Sequence, residues 1–223
     1  MYRAVDWYFS SLLVQTTLLL VTISSIVLAI VETYIDQENF EDVALSLEIV
    51  FFCVFFVDLL ADAVRAPFLI DYIFSFTFFY DVTACLSILV IFYPQNEWLV
   101  FFRFFRIFKI LEVVKMRHYN MLSTSSRLHS ADIAAYETSA VTYFVARMVV
   151  NILAFVIISS AAVFALSQAE PLGFTEPLTF GGSFYFVVVT VSTVGYGELH
   201  PTSTYPRLLV VVIIIVGFSI IPV

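Results

Sequence analysis

The sequence predicts an all-α membrane protein with six membrane-spanning helices and one shorter re-entrant helix. Of its 223 residues, 61% are hydrophobic and 25 are Phe, so there is too little polar surface to cover a water-soluble globule. The stretches 11–31 and 148–169 carry no charge, and each exceeds the roughly 20 residues that a helix needs to cross the hydrocarbon. Together these observations place most of the chain in a bilayer.

Four further apolar segments contain charges and complete the six spans, at about 43–64, 68–93, 98–114 and 205–223. Between the fifth and sixth spans, residues 180–191 are apolar but too short to cross the membrane, and they lead directly into the sequence TVGYG at 193–197. We interpret this stretch as a re-entrant pore helix, because non-helical backbone at membrane depth is tolerated only where it lines a wet cavity or is buried in protein.

The distribution of charge orients the spans. With a cytosolic N-terminus, the outer loops contain one base, Arg207, and nine acidic residues: Glu32, Asp36, Glu38, Glu41, Asp42, Glu97, Glu170, Glu176 and Glu198. The inner side then holds Arg3, Arg65, Lys115, Arg117 and Arg127, as the positive-inside rule requires. The net charge of −8 is therefore concentrated on the outer face, where it attracts cations. We expect a multi-pass protein of the plasma membrane.

The fourth span carries a base at every third position. Arg103, Arg106 and Lys109 are separated by apolar pairs, a spacing that winds a basic stripe around an α-helix. Charged side chains inside a membrane helix are costly, so the stripe predicts a voltage sensor. The alternative is an anchor whose side chains snorkel to the headgroups, but Arg103 lies only five residues after Trp98 at the predicted outer end. The next position in this spacing of three is Glu112, an acid rather than a base, so the stripe is short and we expect a weak sensor.

Acidic residues of the second and third spans are predicted counter-charges for these bases, since buried charges need partners. They are Glu48, Asp58, Asp62 and Asp81. Phe55 lies one helical turn before Asp58 and is predicted to be an apolar plug between outer and inner water, although most of the 25 Phe residues must face lipid or core. For Asp58 and Asp81, the alternative is a fixed ion pair that only stabilises the bundle.

These segments divide the chain into three parts. Residues 1–116 are predicted to form a four-helix voltage-sensor-like bundle, 117–139 a cytosolic linker, and 140–223 a two-helix pore module with its pore helix and filter. Gly195 and Gly197 supply the positive φ that successive carbonyls aimed at one axis require. Gly217 is either a gating hinge or a small residue that lets helices approach closely.

Several features of these segments resemble one family of channels. Thr193-Val194-Gly195-Tyr196-Gly197 is similar to the selectivity filter of potassium channels. The chain resembles the six-helix potassium channels, and more closely the Slo family of large-conductance channels gated by voltage and intracellular ions. Ser192 before the filter, the short loop with Trp98 ahead of the basic stripe, and the last helix PRLLVVVIIIVGFSIIP carry the closer resemblance.

The resemblance implies a potassium-conducting, pore-forming subunit whose filter carbonyls replace the hydration shell of the ion, with four copies around one path. Glu198 at the outer mouth replaces the usual Asp, and Lys109 replaces an Arg of the family. We expect no enzyme activity, cofactor or nucleic-acid partner, and no metal beyond the permeant K⁺. The family's cytosolic ion-sensing domains have no counterpart in these residues, so we expect the membrane portion alone, without a direct response to calcium or sodium.

Two alternatives stay open. One is a voltage-gated potassium channel outside the Slo family. The other is a chain that does not conduct, either a truncated regulatory subunit that joins full-length partners or a sensor module coupled to an enzyme. The intact TVGYG argues against a protein that only senses voltage.

Overall fold

The structure is a computed structural model that describes residues 12–35, 38–66, 68–86, 88, 103–110 and 133–220. Regular structure within these ranges is helical, which confirms the predicted all-α membrane class. The α-helices are α1 (Leu12–Glu32), α2 (Glu38–Arg65), α3 (Leu69–Ile73), α4 (Phe76–Leu86), α5 (Ile133–Ala169), α6 (Phe180–Val191) and α7 (Thr204–Ile220).

Three of the described helices are long and apolar enough to cross a membrane: Leu13–Glu32, Asp42–Val64 and Val141–Ala169. Helices α6 and α7 are apolar but shorter. Large apolar side chains such as Leu13, Phe144 and Ile215 are exposed on the outer surface of the chain. This surface suits lipid, and the helices satisfy their backbone polar groups internally as the bilayer demands.

The third span, predicted as one helix, begins as two. The N–H of Phe74 donates to Ile70 O at the end of α3, and Ser75 Oγ accepts a hydrogen bond of 3.2 Å from Phe78 N at the start of α4. Serine is a preferred N-cap residue because its hydroxyl satisfies an N–H that has no partner within the helix. A local capping residue therefore divides a segment whose apolar composition is continuous.

Helix α5 begins at Ile133, inside the stretch predicted as linker and well before the predicted start of the fifth span at residue 148. The remaining linker residues 117–132 lie outside the described part of the chain. The end of the third span at Tyr93 and the predicted outer end of the fourth at Trp98 lie outside it as well.

The bases of the fourth span lie in a helical segment at 103–110, here called the basic segment, whose centre is a 3₁₀ turn at Phe105–Ile107. Side chains three residues apart eclipse one another in 3₁₀ geometry. Arg103, Arg106 and Lys109 are therefore brought towards one side of the segment, whereas the sequence predicted a stripe that winds around an α-helix.

Two of the apolar clusters involve the helices that follow residue 133. In the first, Val187 of α6 and Ile213 of α7 pack with α5. A second cluster joins Ala29 of α1, Phe104 of the basic segment and Phe180 of α6 with α5. The basic segment is therefore packed directly against the start of α6.

The loop between α5 and α6 is held tightly at Gly173. Its N–H donates to Glu170 O and its carbonyl accepts from Thr202 N, each at 2.8 Å. A Cβ at this position would lie 2.9 Å from Glu170 O and 2.9 Å from a ring carbon of Pro206. Because a backbone oxygen and a proline ring cannot move aside easily, the position requires glycine.

We expect Gly173→Ala to lower the stability of the folded chain by roughly 1–3 kcal/mol through overpacking. Gly182→Ala is the matched control, because its Cβ would meet its nearest atoms at 3.5 and 3.7 Å, within ordinary contact. The measurement is the thermal unfolding midpoint of the purified protein in detergent. Equal midpoints for the two variants would contradict the steric argument.

Candidate functional site

Two side chains satisfy N–H groups at the start of α6, where a helix has donors without an internal partner. Thr179 Oγ1 accepts from Gly182 N at 3.1 Å, within the helix's own cap. Tyr34 Oη, just after α1, accepts from Gly181 N at 2.7 Å. The start of α6 is thus fixed both to its own loop and to the first helix.

The segment that follows α6 has positive φ at alternate residues. The φ values are 62° at Thr193, 56° at Gly195 and 78° at Gly197. Positive φ at both glycines agrees with the sequence analysis, but Thr193 was not foreseen. A non-glycine residue in this region costs of order 1–3 kcal/mol, so the surrounding structure must hold it. The N–H of Thr193 donates to Thr190 O at 3.1 Å, and that of Gly195 to Val189 O at 3.2 Å.

One face of this segment is open in the single chain. The exposed fractions are 55% for Val194 and 67% for Tyr196. A Cβ built at Gly195 or Gly197 would meet no atom within 4 Å. The glycines are therefore required for backbone conformation alone, and the open face leaves room for copies of the same segment.

Glu198 anchors the outer end of the segment, and its partner was missed in the sequence. Tyr185 Oη, on α6, donates a hydrogen bond of 3.3 Å to Glu198 Oε2. Thr175 Oγ1 accepts from His200 N at 3.3 Å, which holds the next turn to the α5–α6 loop. Tyr185 belongs to the aromatic pair Phe184-Tyr185 before TVGYG, but no pattern in the sequence indicated which acid it meets.

The first two bases pair with carboxylates of α1 and α2. Arg106 contacts both oxygens of Glu48, with Nη2 to Oε2 at 2.6 Å and Nη1 to Oε1 at 3.3 Å. Arg103 forms an ion pair with Glu32, and its Nε lies 3.7 Å from Glu48 Oε1. The structure thus brings Glu48 to the bases, as predicted. It also corrects the placement of Glu32 in an outer loop, because Glu32 is the last residue of α1.

The third base lies between the second and third spans. Lys109 Nζ is 2.6 Å from Asp58 Oδ2 and also forms an ion pair with Asp81. Tyr72 Oη, which was missed in the sequence, donates to Asp81 Oδ2 at 2.6 Å. Carboxylate oxygens of Asp58, Asp62 and Asp81 come within 4.8 Å of one another. Because Lys109 contacts two of these acids, its ammonium group neutralises part of the negative charge of the cluster.

Phe55 lies in α2 between Glu48 and Asp58 and is fully buried. Its ring centroid is 5.3 Å from Cζ of Arg106. Phe55 therefore separates the level of the Arg106–Glu48 pair from that of the Lys109–Asp58 pair along the helix. Its role as a plug stays a prediction.

Gly217 lies within an unbroken helix, α7. A Cβ there would be 3.4 Å from the ring of Phe155 on α5 and 3.7 Å from Val191 on α6. The contacts fit a small residue that lets three helices approach closely. The alternative role, a gating hinge, stays a prediction.

Similarity to known proteins agrees with this arrangement. Residues 151–223 match a family described as ion channel. The chain is 30% identical over 184 residues to the calcium-activated potassium channel slo-1 of Caenorhabditis elegans, covering 80% of this chain and 14% of that protein. It is related to potassium channels. It is also 27% identical over 106 residues to two-pore potassium channel 4 of Arabidopsis thaliana, covering 46% of this chain and 37% of that protein.

The resemblance to Slo channels stated from the sequence is thus confirmed by similarity to one of them. The similarity is to ion channels rather than to an enzyme class. The chain spans 14% of the length of slo-1 and 37% of the length of the plant channel, so the activities of those whole proteins are carried over below only as proposals.

We expect Glu48→Gln to be strongly destabilising, because it removes the carboxylate that pairs with the buried Arg106 guanidinium. Breaking a buried ion pair costs roughly 3–5 kcal/mol. Asp42→Asn is the matched control, since Asp42 is an exposed carboxylate near the start of the same span. The measurement is the unfolding midpoint in a double-mutant cycle with Arg106→Gln. Removal of both charges should recover part of the loss, and an additive cycle would show that the pair is not coupled.

Proposed function

We propose that this chain is a pore-forming subunit of a potassium-selective, voltage-modulated channel of the Slo type. It assembles as a homotetramer in the plasma membrane with its N-terminus in the cytosol. The observation that carries the proposal is the alternation of positive φ at Thr193, Gly195 and Gly197 directly after α6. Alternating backbone of this kind turns successive carbonyl oxygens towards a common side, which ion coordination by backbone requires.

Conduction follows from the same segment. The carbonyl oxygens of Thr193, Val194, Gly195 and Tyr196 replace the hydration shell of K⁺, and the Thr193 hydroxyl adds one more oxygen at the inner end. One chain offers one such segment with an open face, so four chains complete the ring. The C-terminal carbonyl end of α6 carries partial negative charge and stabilises a cation in the cavity below the filter. Glu198 adds negative charge at the outer mouth.

Voltage modulation depends on the ion pairs of the three bases in the basic segment, here called the ladder. Arg103, Arg106 and Lys109 are each paired with acids of neighbouring helices, so a displaced base meets another carboxylate rather than lipid. One step of three residues in 3₁₀ geometry moves a base by about 6 Å. If all three bases crossed the whole field, they would contribute roughly 7 kcal/mol per 100 mV in each subunit, which is an upper bound.

A direct contact supports coupling of the basic segment to the pore. The rings of Phe104 and Phe180 stack with centroids 5.1 Å apart. Phe180 is the first residue of α6, and Phe104 immediately follows Arg103. Displacement of the basic segment therefore acts on the helix that carries the filter.

The selectivity proposal predicts that Gly195→Ala abolishes potassium current, because a Cβ is strained at positive φ. Gly182→Ala should conduct, since it lies in ordinary helix. The measurement is whole-cell current in cells expressing the chain, with the reversal potential followed as external potassium is changed. A reversal potential of the unmodified channel that ignores the potassium gradient would overturn the proposal.

The sensor proposal predicts that Arg106→Gln lowers the slope of the conductance–voltage relation by up to about one third, since one of three sensing bases is lost. Asp81→Asn should shift the midpoint by removing a counter-charge. Arg207→Gln is the control, because Arg207 is an exposed base that bonds Pro201 O and lies outside the ladder. An unchanged slope in Arg106→Gln with normal surface expression would mean that the bases only stabilise the bundle.

A further inference from the structure

Helices α5 and α7 enclose an apolar cavity of about 530 Å³ that also reaches Phe108 of the basic segment. Asn151 and Ser159 are the two polar residues of its lining, and the remainder are apolar, among them Phe155, Ala162 and Leu209. A second cavity of about 280 Å³ shares Asn151 and Ile220 with the first and is also lined by Arg147. The two cavities therefore form one groove that is apolar at one end and basic at the other.

The basic end of the groove lies at a defined depth. Counting about 20 residues back from Ala169, the length that crosses the hydrocarbon, reaches about Val150 on α5. Arg147 is then at the level of the lipid headgroups, and Asn151 is one turn deeper. In the proposed topology this is the cytosolic leaflet, which holds the anionic lipids of a plasma membrane.

Arg147 lies at the open end of the groove, where its side chain is exposed. In the part of the chain that the structure describes, Arg147 makes no ion pair or hydrogen bond, and neither does the Asn151 amide. The other bases of the membrane region behave differently, since Arg103, Arg106 and Lys109 each contact a carboxylate. An exposed guanidinium beside an amide at the edge of an apolar groove suits a ligand with a phosphate and an ester-linked chain.

We propose that the groove between α5 and α7 binds an anionic phospholipid, with its phosphate on Arg147, its glycerol ester region at Asn151 and one acyl chain in the cavity. Along α5 from Arg147 to Ala162 the groove is about 22 Å long, which covers the roughly 15 Å of one leaflet and its glycerol region. The larger cavity falls in the range of roughly 300–1,000 Å³ that is typical of ligand sites. The lipid would touch Phe108, next to Lys109, as well as α7.

The test is native mass spectrometry of the purified chain in neutral detergent, titrated with phosphatidylglycerol or with phosphatidylcholine. We expect the anionic lipid to bind more tightly, and Arg147→Gln to weaken it about fivefold, which corresponds to about 1 kcal/mol for one base at an anionic surface. Arg147→Lys should retain most of this preference. Arg207→Gln, which removes an exposed base at the other end of α7, should leave it unchanged.

Further variants test the larger cavity, in which we place the acyl chain. Ala162→Phe fills the cavity and should weaken both lipids, with Ala162→Leu as a smaller change if the first variant does not assemble. Leu153→Phe adds the same ring on an exposed face of α5 and should bind lipid normally. Soluble glycerol phosphate should not compete. Unchanged lipid preference in Arg147→Gln would overturn the proposal and would indicate contact with bulk headgroups. Normal binding in the Ala162 variants would also overturn it and would indicate a groove that a second copy covers.

Discussion

The neutralisation of three buried bases determines how the first helices are arranged. Lipid tails are as apolar as leucine, so apolar burial alone gives membrane helices little reason to choose one neighbour over another. Charged side chains do give such a reason, because each is expensive in hydrocarbon without a partner. Helix α1 supplies Glu32, α2 supplies Glu48 and Asp58, and α4 supplies Asp81. Each helix is thereby held at the basic segment by at least one ion pair.

Two kinds of contact hold α5, α6 and α7 in place. Hydrogen bonds fix α6 at its start through Tyr34 and hold the outer end of the following segment through Tyr185 and Glu198. Contacts between α5 and α7, by contrast, are apolar where Phe155 meets Gly217. Directional bonds resist displacement, whereas dispersion contacts between smooth surfaces change little when helices slide. The end of the segment that follows α6 is thus held by a directional bond, whereas α7 meets α5 at Gly217 through an apolar contact.

Apolar length and composition were sufficient to predict the bounds of α6 and, within one residue, those of α1. They were also sufficient to place bases and acids in the same bundle, because ionisable residues in such segments require one another. They did not reveal that Glu32 meets Arg103 or that Tyr72 meets Asp81, since pairing depends on the depth and rotation of each helix. The positive φ of Thr193 could not be predicted from the sequence either, because it is imposed by the turn between α6 and Gly195 and not by the side chain.

One contact links parts of the chain that are far apart in sequence. A Cβ at Gly181 would lie 2.7 Å from Tyr34 Oη, and the two residues are 147 positions apart. A larger residue at 181 therefore displaces the Tyr34 hydroxyl, which accepts the Gly181 N–H in this structure. Helices α1 and α6 are consequently not independent: a chimera that takes them from different proteins keeps this hydrogen bond only if it retains tyrosine after the first and glycine at the second position of the other.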